Sequence, residues 1–134
     1  MADKTFECTI ITPHGPIYTG RVESASIPAH DGEVGILQHR APLVCKLGAG
    51  RLRFRSEAGL ESWFIDGGFA HVRDDRLLVL TQEALRPEQI NIADAWARLE
   101  HARQMIAVDE VSTRRRTQLE TSARARLRVA HSRR

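Results

Sequence analysis

The side chains of this 134-residue chain that could do chemistry are its histidines, cysteines, arginines and neighbouring carboxylates. The six histidines show no paired spacing of the kind that metal ligands have, so we expect no metal site. They are His14, His30, His39, His71, His101 and His131. Cys8 and Cys45 lie 37 positions apart inside apolar stretches. This spacing favours two small, buried, reduced side chains over a pair of metal ligands.

Adjacent carboxylates occur at Asp74 and Asp75 and again at Asp109 and Glu110, where the surrounding residues predict turns. We interpret both pairs as solvated turn residues rather than as general acids or bases. The sequence also has no glycine-rich phosphate loop and no Ser/His/Asp arrangement. It therefore predicts a protein that has no catalytic residues and binds no cofactor.

The charge of the chain is concentrated at one end. Residues 1–86 carry ten basic and eleven acidic side chains, and residues 87–111 carry two and five. Residues 112–134 carry eight arginines and one acidic residue, Glu120, although the whole chain has a net charge of only +3. Such asymmetry is typical of a tail that meets an acidic partner or stays solvated.

Two other classes of protein can be weighed on composition. No apolar run approaches the roughly 20 residues that a membrane-spanning helix needs. The basic tail leaves open a small β-barrel nucleic-acid-binding module with a basic C-terminal arm. Such modules interleave exposed aromatic side chains with basic ones, whereas this chain is 5% aromatic and its aromatic residues lie mostly in apolar strand positions. We keep the nucleic-acid module as the alternative.

The first two thirds of the chain have the pattern of short strands separated by turns. Residues 51–55 (RLRFR) alternate with a period of two. This period predicts a strand with Leu52 and Phe54 inside and three arginines facing water. Clusters of small and polar residues predict turns at residues 30–32, 48–50 and 66–68. The pattern predicts an all-β sandwich or barrel, with Phe69 in its core.

The pattern changes at Pro87, because all nine glycines and all five prolines lie at or before it. Pro87 suits the start of a helix. Ile92, Trp96 and Leu99 then continue with helical spacing as far as Ile106. We expect an amphipathic helix in which Trp96 packs on the strand domain.

A second helix is predicted over residues 113–131, with Ser112 as its candidate N-cap. The two helices would form a hairpin. The apolar stripe of the second helix consists of Leu119, Ala123, Leu127 and Ala130. This stripe is narrow, and Arg126 projects into nearly the same arc, so little apolar area can be buried. We expect a helix that needs a docking surface and is therefore a good mobile element.

Several segments of the chain resemble the epsilon subunit of F-type ATP synthases, the small central-stalk subunit of bacterial and plastid enzymes. They are residues 12–15 (TPHG), 31–37 (DGEVGIL), 41–43 (APL), 67–69 (GGF) and 78–81 (LVLT). The likeness covers residues 5–86 and is specific as a set. Residues 87–134 match in length and helical-hairpin character but only loosely in sequence.

The resemblance implies a β-sandwich of about ten strands over residues 1–86 and a two-helix C-terminal hairpin over residues 87–134. It implies a non-catalytic rotor subunit that binds the gamma subunit and the c-subunit ring and couples ion-driven rotation to ATP synthesis. The hairpin would lie folded on the sandwich or extend towards the alpha and beta subunits and inhibit ATP hydrolysis. The subunit would be peripheral, on the cytoplasmic face of the plasma membrane.

The same resemblance assigns contacts to two groups of residues. The contact with the c ring would be made by Asp31, Glu33, Gln38, His39 and Arg40. Within this group, the Glu33 carboxylate would pair with an arginine of the ring. The inhibitory contacts with gamma and beta would be made by Arg114, Arg115, Arg116, Arg124, Arg126 and Arg128.

Many bacterial members carry an ATP-binding motif of Ile or Leu, Asp, two variable residues, Arg and Ala. The corresponding positions here are Ile90, Asn91, Asp94 and Ala95. Asn91 is neutral where the motif is acidic, and Asp94 is acidic where the motif has arginine. Because Asp94 would repel a phosphate, we predict weak or absent ATP binding by the isolated subunit. A calorimetric titration that gave a submicromolar dissociation constant would contradict this.

Overall fold

The computed structural model describes residues 4–132, so the first three residues of the predicted sandwich and the last two of the predicted hairpin lie outside it. The eight strands of the described residues are β1 (Phe6–Thr12), β2 (Gly15–Val22), β3 (Ser24–Ala29), β4 (Gly32–Leu37), β5 (Leu43–Ser56), β6 (Gly59–Arg73), β7 (Arg76–Leu80) and β8 (Ala84–Leu85). A 3-10 turn at Pro87–Gln89 leads into helices α1 (Ile92–Gln104) and α2 (Glu110–His131).

The strands form one continuous sheet in the order β2-β1-β7-β6-β5-β3-β4, with β8 paired to β6. The long strands β5 and β6 pair antiparallel along almost their whole length, from Leu43 opposite Val72 to Ser56 opposite Gly59. Because residues from β1 and from both ends of β5 and β6 share one hydrophobic core, the sheet folds over on itself as a β-sandwich.

Glycines let β6 bend where the sheet folds over. Gly67 and Gly68 have φ angles of +75° and +103°, a region that glycine enters without steric cost. The turns predicted at residues 48–50 and 66–68 are therefore wrong, since both segments lie inside long strands. This continuity is why eight strands are present among the described residues where about ten were expected.

The core contains Leu52 and Phe54, which are 0% and 1% exposed, as the alternation of residues 51–55 predicts. Phe69, in contrast, is 54% exposed, so its expected place in the core is wrong. Side chains alternate between the faces of a strand, and in this part of β6 the inward positions are taken by Ala70 and Val72.

Helix α1 begins later than predicted. Pro87 opens the 3-10 turn instead, and Asn91 caps α1 by accepting a hydrogen bond from the backbone N–H of Asp94 at 2.9 Å. Trp96 is 52% exposed and not packed on the sandwich, because the buried face of α1 turns towards α2. The buried residues of α1 are Ala95, Leu99 and Ala102. Ile106 is exposed and lies beyond the end of the helix.

Helix α2 begins at Glu110, three residues earlier than predicted. Its N-cap is Asp109, whose carboxylate accepts a hydrogen bond from the backbone N–H of Ser112 at 2.8 Å. The Ser112 hydroxyl in turn accepts a hydrogen bond from the backbone N–H of Asp109, which completes a reciprocal cap. Neither of the helices within residues 4–132 is long and apolar enough to cross a membrane.

Candidate functional site

The C-terminal half of α2 covers the outer face of the sheet around Phe64. Phe64 points away from the main core, where its neighbours Trp63 and Ile65 lie, yet it is 0% exposed. The apolar cluster that covers it consists of Ile90, Ala125, Val129 and Ala130. We call this cluster, together with Phe64, the hairpin seat. Its helical members are mostly small, so the seat buries modest apolar area.

A buried charge lies at the hairpin seat. Arg126 is 5% exposed, and its Nη2 donates to Oε1 of Glu83 at 2.5 Å. The guanidinium carbon lies 4.6 Å from the centre of the Phe64 ring, a cation–π distance. The connection between β7 and β8, which carries Glu83, is thereby joined to α2.

A second arginine holds the chain where it leaves the sandwich. Nη1 of Arg86 donates to Oε1 of Glu61 at 3.0 Å, and its guanidinium carbon lies 4.5 Å from the centre of the Trp63 ring. The linker to the helices is therefore fixed on its sandwich side.

The other half of β6 carries exposed apolar side chains. Phe69 pairs directly with Leu80 of β7, and Leu80 pairs with Ile11 of β1. Val44 shares their face because it pairs with His71, two residues after Phe69. Phe69, Leu80 and Val44 are 54%, 43% and 68% exposed. We call the surface formed by Ile11, Val44, Phe69 and Leu80 the bare face; contiguous exposed apolar surface of this kind marks interaction sites.

Sequence reasoning missed the bare face. Its signal was the alternation of Phe69 and His71 with Ala70 and Val72, which puts the aromatic ring and the imidazole on one side of β6. The alternation alone does not say that Val44 and Leu80 lie beside Phe69, because that depends on pairing among separate strands.

Two of the residues predicted to contact the c ring lie at the start of β4. Asp31 is in the β3–β4 turn, whereas Glu33 is in β4 itself rather than in a turn. Both are exposed, and Oε1 of Glu33 lies 3.7 Å from Nη2 of Arg53. Gln38 follows the far end of β4, roughly 17 Å away at 3.4 Å per residue. The structure thus separates Gln38 from Asp31 and Glu33.

The remaining two predicted residues return along the loop to β5. The backbone N–H of His39 donates to Oδ1 of Asp75 at 2.6 Å, and its Nδ1 lies 3.3 Å from Oδ2. Burial raises the pKa of the Cys45 thiol, the Asp31 carboxylate raises it further, and the Arg40 guanidinium opposes them. His39 is therefore held at the β6–β7 turn, whereas Arg40 is exposed in the loop before β5.

The six arginines predicted to be inhibitory differ in their surroundings. Arg116 is half-buried, and its Nη2 donates to the carbonyl of Arg103 at the end of α1 at 3.1 Å. Arg126 is buried at the hairpin seat. The exposed members are Arg114, Arg115, Arg124 and Arg128.

The positions of the expected ATP motif serve α1 in this structure. Asn91 is the N-cap, and Oδ2 of Asp94 accepts from Nε of Arg98 at 2.7 Å, a hydrogen bond that lowers the pKa of Asp94. Ile90 and Ala95 are buried. The two polar positions thus stabilise the start of α1, and neither is a cation that could pair with a phosphate.

The two cysteines are free and unlike each other. Cys8 is 0% exposed, and burial, with a smaller effect of the Glu61 carboxylate, raises the pKa of its thiol to about 12. Cys45 is only half-buried: it packs against the main core from the start of β5, before the segment of that strand that pairs with β3. The expectation of burial is thus correct for Cys8 and wrong for Cys45.

Together, the fold and these surfaces define a two-part assembly subunit: a β-sandwich with a bare apolar face, joined to a helical hairpin that is seated on the opposite part of the sheet. The family model described as "ATP synthase, Delta/Epsilon chain, beta-sandwich domain" matches residues 5–87. The ATP synthase epsilon chain of Anoxybacillus flavithermus is 39% identical over 99 residues, which cover 74% of each chain. That of Bacillus pumilus is 33% identical over 116 residues, 87% of this chain and 88% of that one. The chain belongs to the epsilon-chain family of F-type ATP synthases, which confirms the resemblance.

Solved structures extend the likeness to the helices. A chain in the mitochondrial ATP synthase of Euglena gracilis (OSCP/F1/c-ring, rotational state 1) superposes with a TM-score of 0.79 at 26% identity, over 93% of this chain and 80% of that one. A chain of the central stalk and c-ring of Tetrahymena thermophila mitochondrial ATP synthase gives 0.73 at 13% identity, over 92% and 95%. The second likeness is one of fold. The predicted β-sandwich followed by a two-helix hairpin is confirmed.

Proposed function

We propose that this chain is a rotor subunit of the central stalk that couples ion-driven rotation of the c ring to ATP synthesis and restrains ATP hydrolysis through its helices. Residues 1–86 dock the gamma subunit and the c ring, and residues 87–134 are the mobile hairpin. The observation that carries the proposal is that the hairpin covers one half of β6, at Phe64, and leaves the other half, at Phe69, exposed. The kinship with epsilon chains and the Euglena assembly, which contains F1 and a c-ring, supports it.

The bare face is the docking surface for gamma in this proposal. It presents apolar side chains from β1, β5, β6 and β7, and burying them against a partner would be favourable by about 25 cal/mol per Å² of apolar area. Since the face belongs to the sandwich and not to the helices, docking does not require the hairpin to move.

Copurification with the gamma subunit tests the docking surface. Phe69→Arg puts a charge into the bare face and should abolish the complex, because an unpaired charge would be buried. Leu60→Arg is the matched control, since Leu60 is in the same strand and 56% exposed, against 54% for Phe69. Equal recovery of gamma by both variants would contradict the assignment.

The c-ring contact is assigned to the start of β4. The pair of Glu33 with Arg53 is exposed on both sides, so it is worth about 0–1 kcal/mol and is readily exchanged for a cation of a partner. Glu33→Lys should reduce the coupling of proton flow to ATP synthesis. Unchanged coupling in the reconstituted enzyme would count against the contact.

The hairpin is the regulatory part. When it extends along the stalk, its exposed arginines meet acidic surfaces of gamma and of the alpha and beta subunits, where catalysis takes place. The subunit itself needs no nucleotide and no catalytic group, and it is held peripherally, on the cytoplasmic face of the plasma membrane, through the complex. A chain that ends at Val111 should therefore raise hydrolysis by the assembled enzyme.

A further inference from the structure

Arg126 differs from every other arginine within residues 4–132, because it alone is buried. Arg124 and Arg128, on the same helix, are both exposed. A guanidinium is almost never fully buried unless it is paired. The buried guanidinium of Arg126 must therefore have partners in the contact between α2 and the sandwich.

The direct contacts of the Arg126 guanidinium are with the sandwich and not with its own hairpin. Glu83, in the connection from β7 to β8, accepts from its Nη2 at 2.5 Å, and the ring of Phe64 in β6 faces its guanidinium carbon at 4.6 Å. Its Nε is buried and has no hydrogen-bond partner. The charge is thus balanced by a hydrogen bond to one carboxylate and by one ring, and at longer range by the exposed Asp94 carboxylate of α1, whose pKa Arg98 lowers most and Arg126 lowers further.

The remaining residues of the hairpin seat contribute only apolar contacts, which have little directional preference. Ala125 and Ala130 offer only a methyl group each, and Val129 is the largest apolar side chain that α2 places there. Small side chains bury little apolar area. The contact that distinguishes a seated helix from a displaced one is therefore the ion pair between Arg126 and Glu83.

We propose that Arg126, Glu83 and Phe64 form an ionic latch: in a helix that carries Arg126, the hairpin stays seated only while Glu83 pairs with this arginine, and the pair must open before the hairpin can extend. This inference rests on the proposed function in one respect, namely that the hairpin extends in the assembled enzyme. The latch assigns Arg126 to the seated state, whereas the exposed arginines of α2 remain available to partners in either state.

The latch predicts opposite effects for its two partners. Removing the Glu83 carboxylate leaves the buried guanidinium without its hydrogen-bonded countercharge, which strongly disfavours the seated state. Replacing the arginine by an apolar side chain of similar length removes the buried charge and keeps the seat filled. The Glu83 side chain is 41% exposed, so water can hydrate its carboxylate once the arginine is gone. Ordinary packing would predict instead that both substitutions loosen the hairpin.

Hydrogen exchange of α2 in the full-length subunit tests the latch. Glu83→Gln should raise exchange rates of the α2 amides by on the order of 100-fold, while the amides of β1 and β5 remain protected and show that the sandwich is folded. Arg126→Met should leave α2 exchange at the wild-type rate or below it. The double variant should return to the rate of Arg126→Met, and Arg124→Met is the matched control on the exposed side of the helix. Exchange in Glu83→Gln within twofold of wild type, or a double variant that exchanges as fast as Glu83→Gln, would overturn the latch.

ATP hydrolysis by the enzyme reconstituted with the same variants separates this inference from the proposed function. If the latch opens the regulatory hairpin, Glu83→Gln should inhibit hydrolysis more strongly than wild type. Faster α2 exchange with unchanged hydrolysis would support the latch and contradict the regulatory part of the proposed function. Unchanged α2 exchange would overturn the latch whatever the hydrolysis rate.

Discussion

Each half of β6 carries a phenylalanine, and the two side chains differ in how far they are exposed. Phe64, before the bend, is fully buried under α2, whereas Phe69, after the bend, is 54% exposed. Both rings point to the outside of the sandwich, since their neighbours Ile65 and Ala70 fill its core. The same strand therefore presents one outer surface that α2 covers and one that stays exposed.

This difference separates two kinds of interface. The covered half is closed by small residues of α2 and one ion pair, which suits a contact that forms and breaks within the molecule. The bare face offers larger apolar side chains on a sheet anchored by the main core, which suits a lasting contact with a partner. The strand bend at Gly67 and Gly68 is what divides the two.

The largest effect is expected at the bend itself. In Gly68→Ala the new Cβ would lie 1.9 Å from the carbonyl oxygen of Leu80, at a φ of +103° that alanine rarely adopts. We expect a loss of on the order of 4 kcal/mol or more, a large part of the stability of a small domain. Urea unfolding measures it. Gly35→Ala, where the Cβ would meet nothing within 4 Å and φ is not positive, is the control; equal losses in both would show that the bend is not strained.

The next effect compares the two phenylalanines directly. Phe64→Ala should cost about 3–5 kcal/mol, because it empties a buried site between β6 and α2. Phe69→Ala should change stability by less than about 0.5 kcal/mol, because it alters an exposed surface. Thermal or chemical unfolding of the isolated subunit gives both values. Similar losses would mean that the bare face contributes to folding as much as the hairpin seat does.

The smallest effect concerns the far end of the hairpin. Hydrogen bonds from the backbone and side chain of Ser112 lower the pKa of the Asp109 carboxyl below its usual 3.8. Its contribution to the N-cap is therefore fully present above pH 3.8 and is lost as the pH falls through the lower value of the folded state. Asp109→Asn keeps a capping side chain that does not titrate.

The amide proton of Ser112, which Asp109 accepts, reports this titration by NMR. Its chemical shift should move as the pH falls below 3.8 in the wild type and stay constant in Asp109→Asn. A shift that moved equally in both would show that the cap does not depend on the carboxylate charge. The hairpin would then be capped in acid as it is at neutral pH.

Much of the fold could be predicted because it depends on local pattern. The alternation in residues 51–55 identified Leu52 and Phe54 as core, and the loss of glycine and proline after Pro87 separated helices from strands. The bends of β5 and β6 were read as turns, since glycine clusters mark both and only the pairing of the two long strands distinguishes them.

The sites were harder, because they depend on which surface lies against which. The helical spacing of Ile92, Trp96 and Leu99 predicted one buried face, yet of these three only Leu99 is buried. In the sequence, Arg126 is indistinguishable from the five other arginines predicted to be inhibitory. In the structure it differs from them because it pairs with Glu83, 43 residues earlier. Contacts at such separations leave no local trace in the sequence.

The most direct test of the account is ATP hydrolysis by a reconstituted enzyme that carries either the full-length subunit or a chain ending at Val111. The amount of subunit bound must be equal in both preparations and quantified, because the sandwich alone is expected to dock. We predict equal binding and faster hydrolysis without α2. Equal hydrolysis at equal occupancy would contradict it.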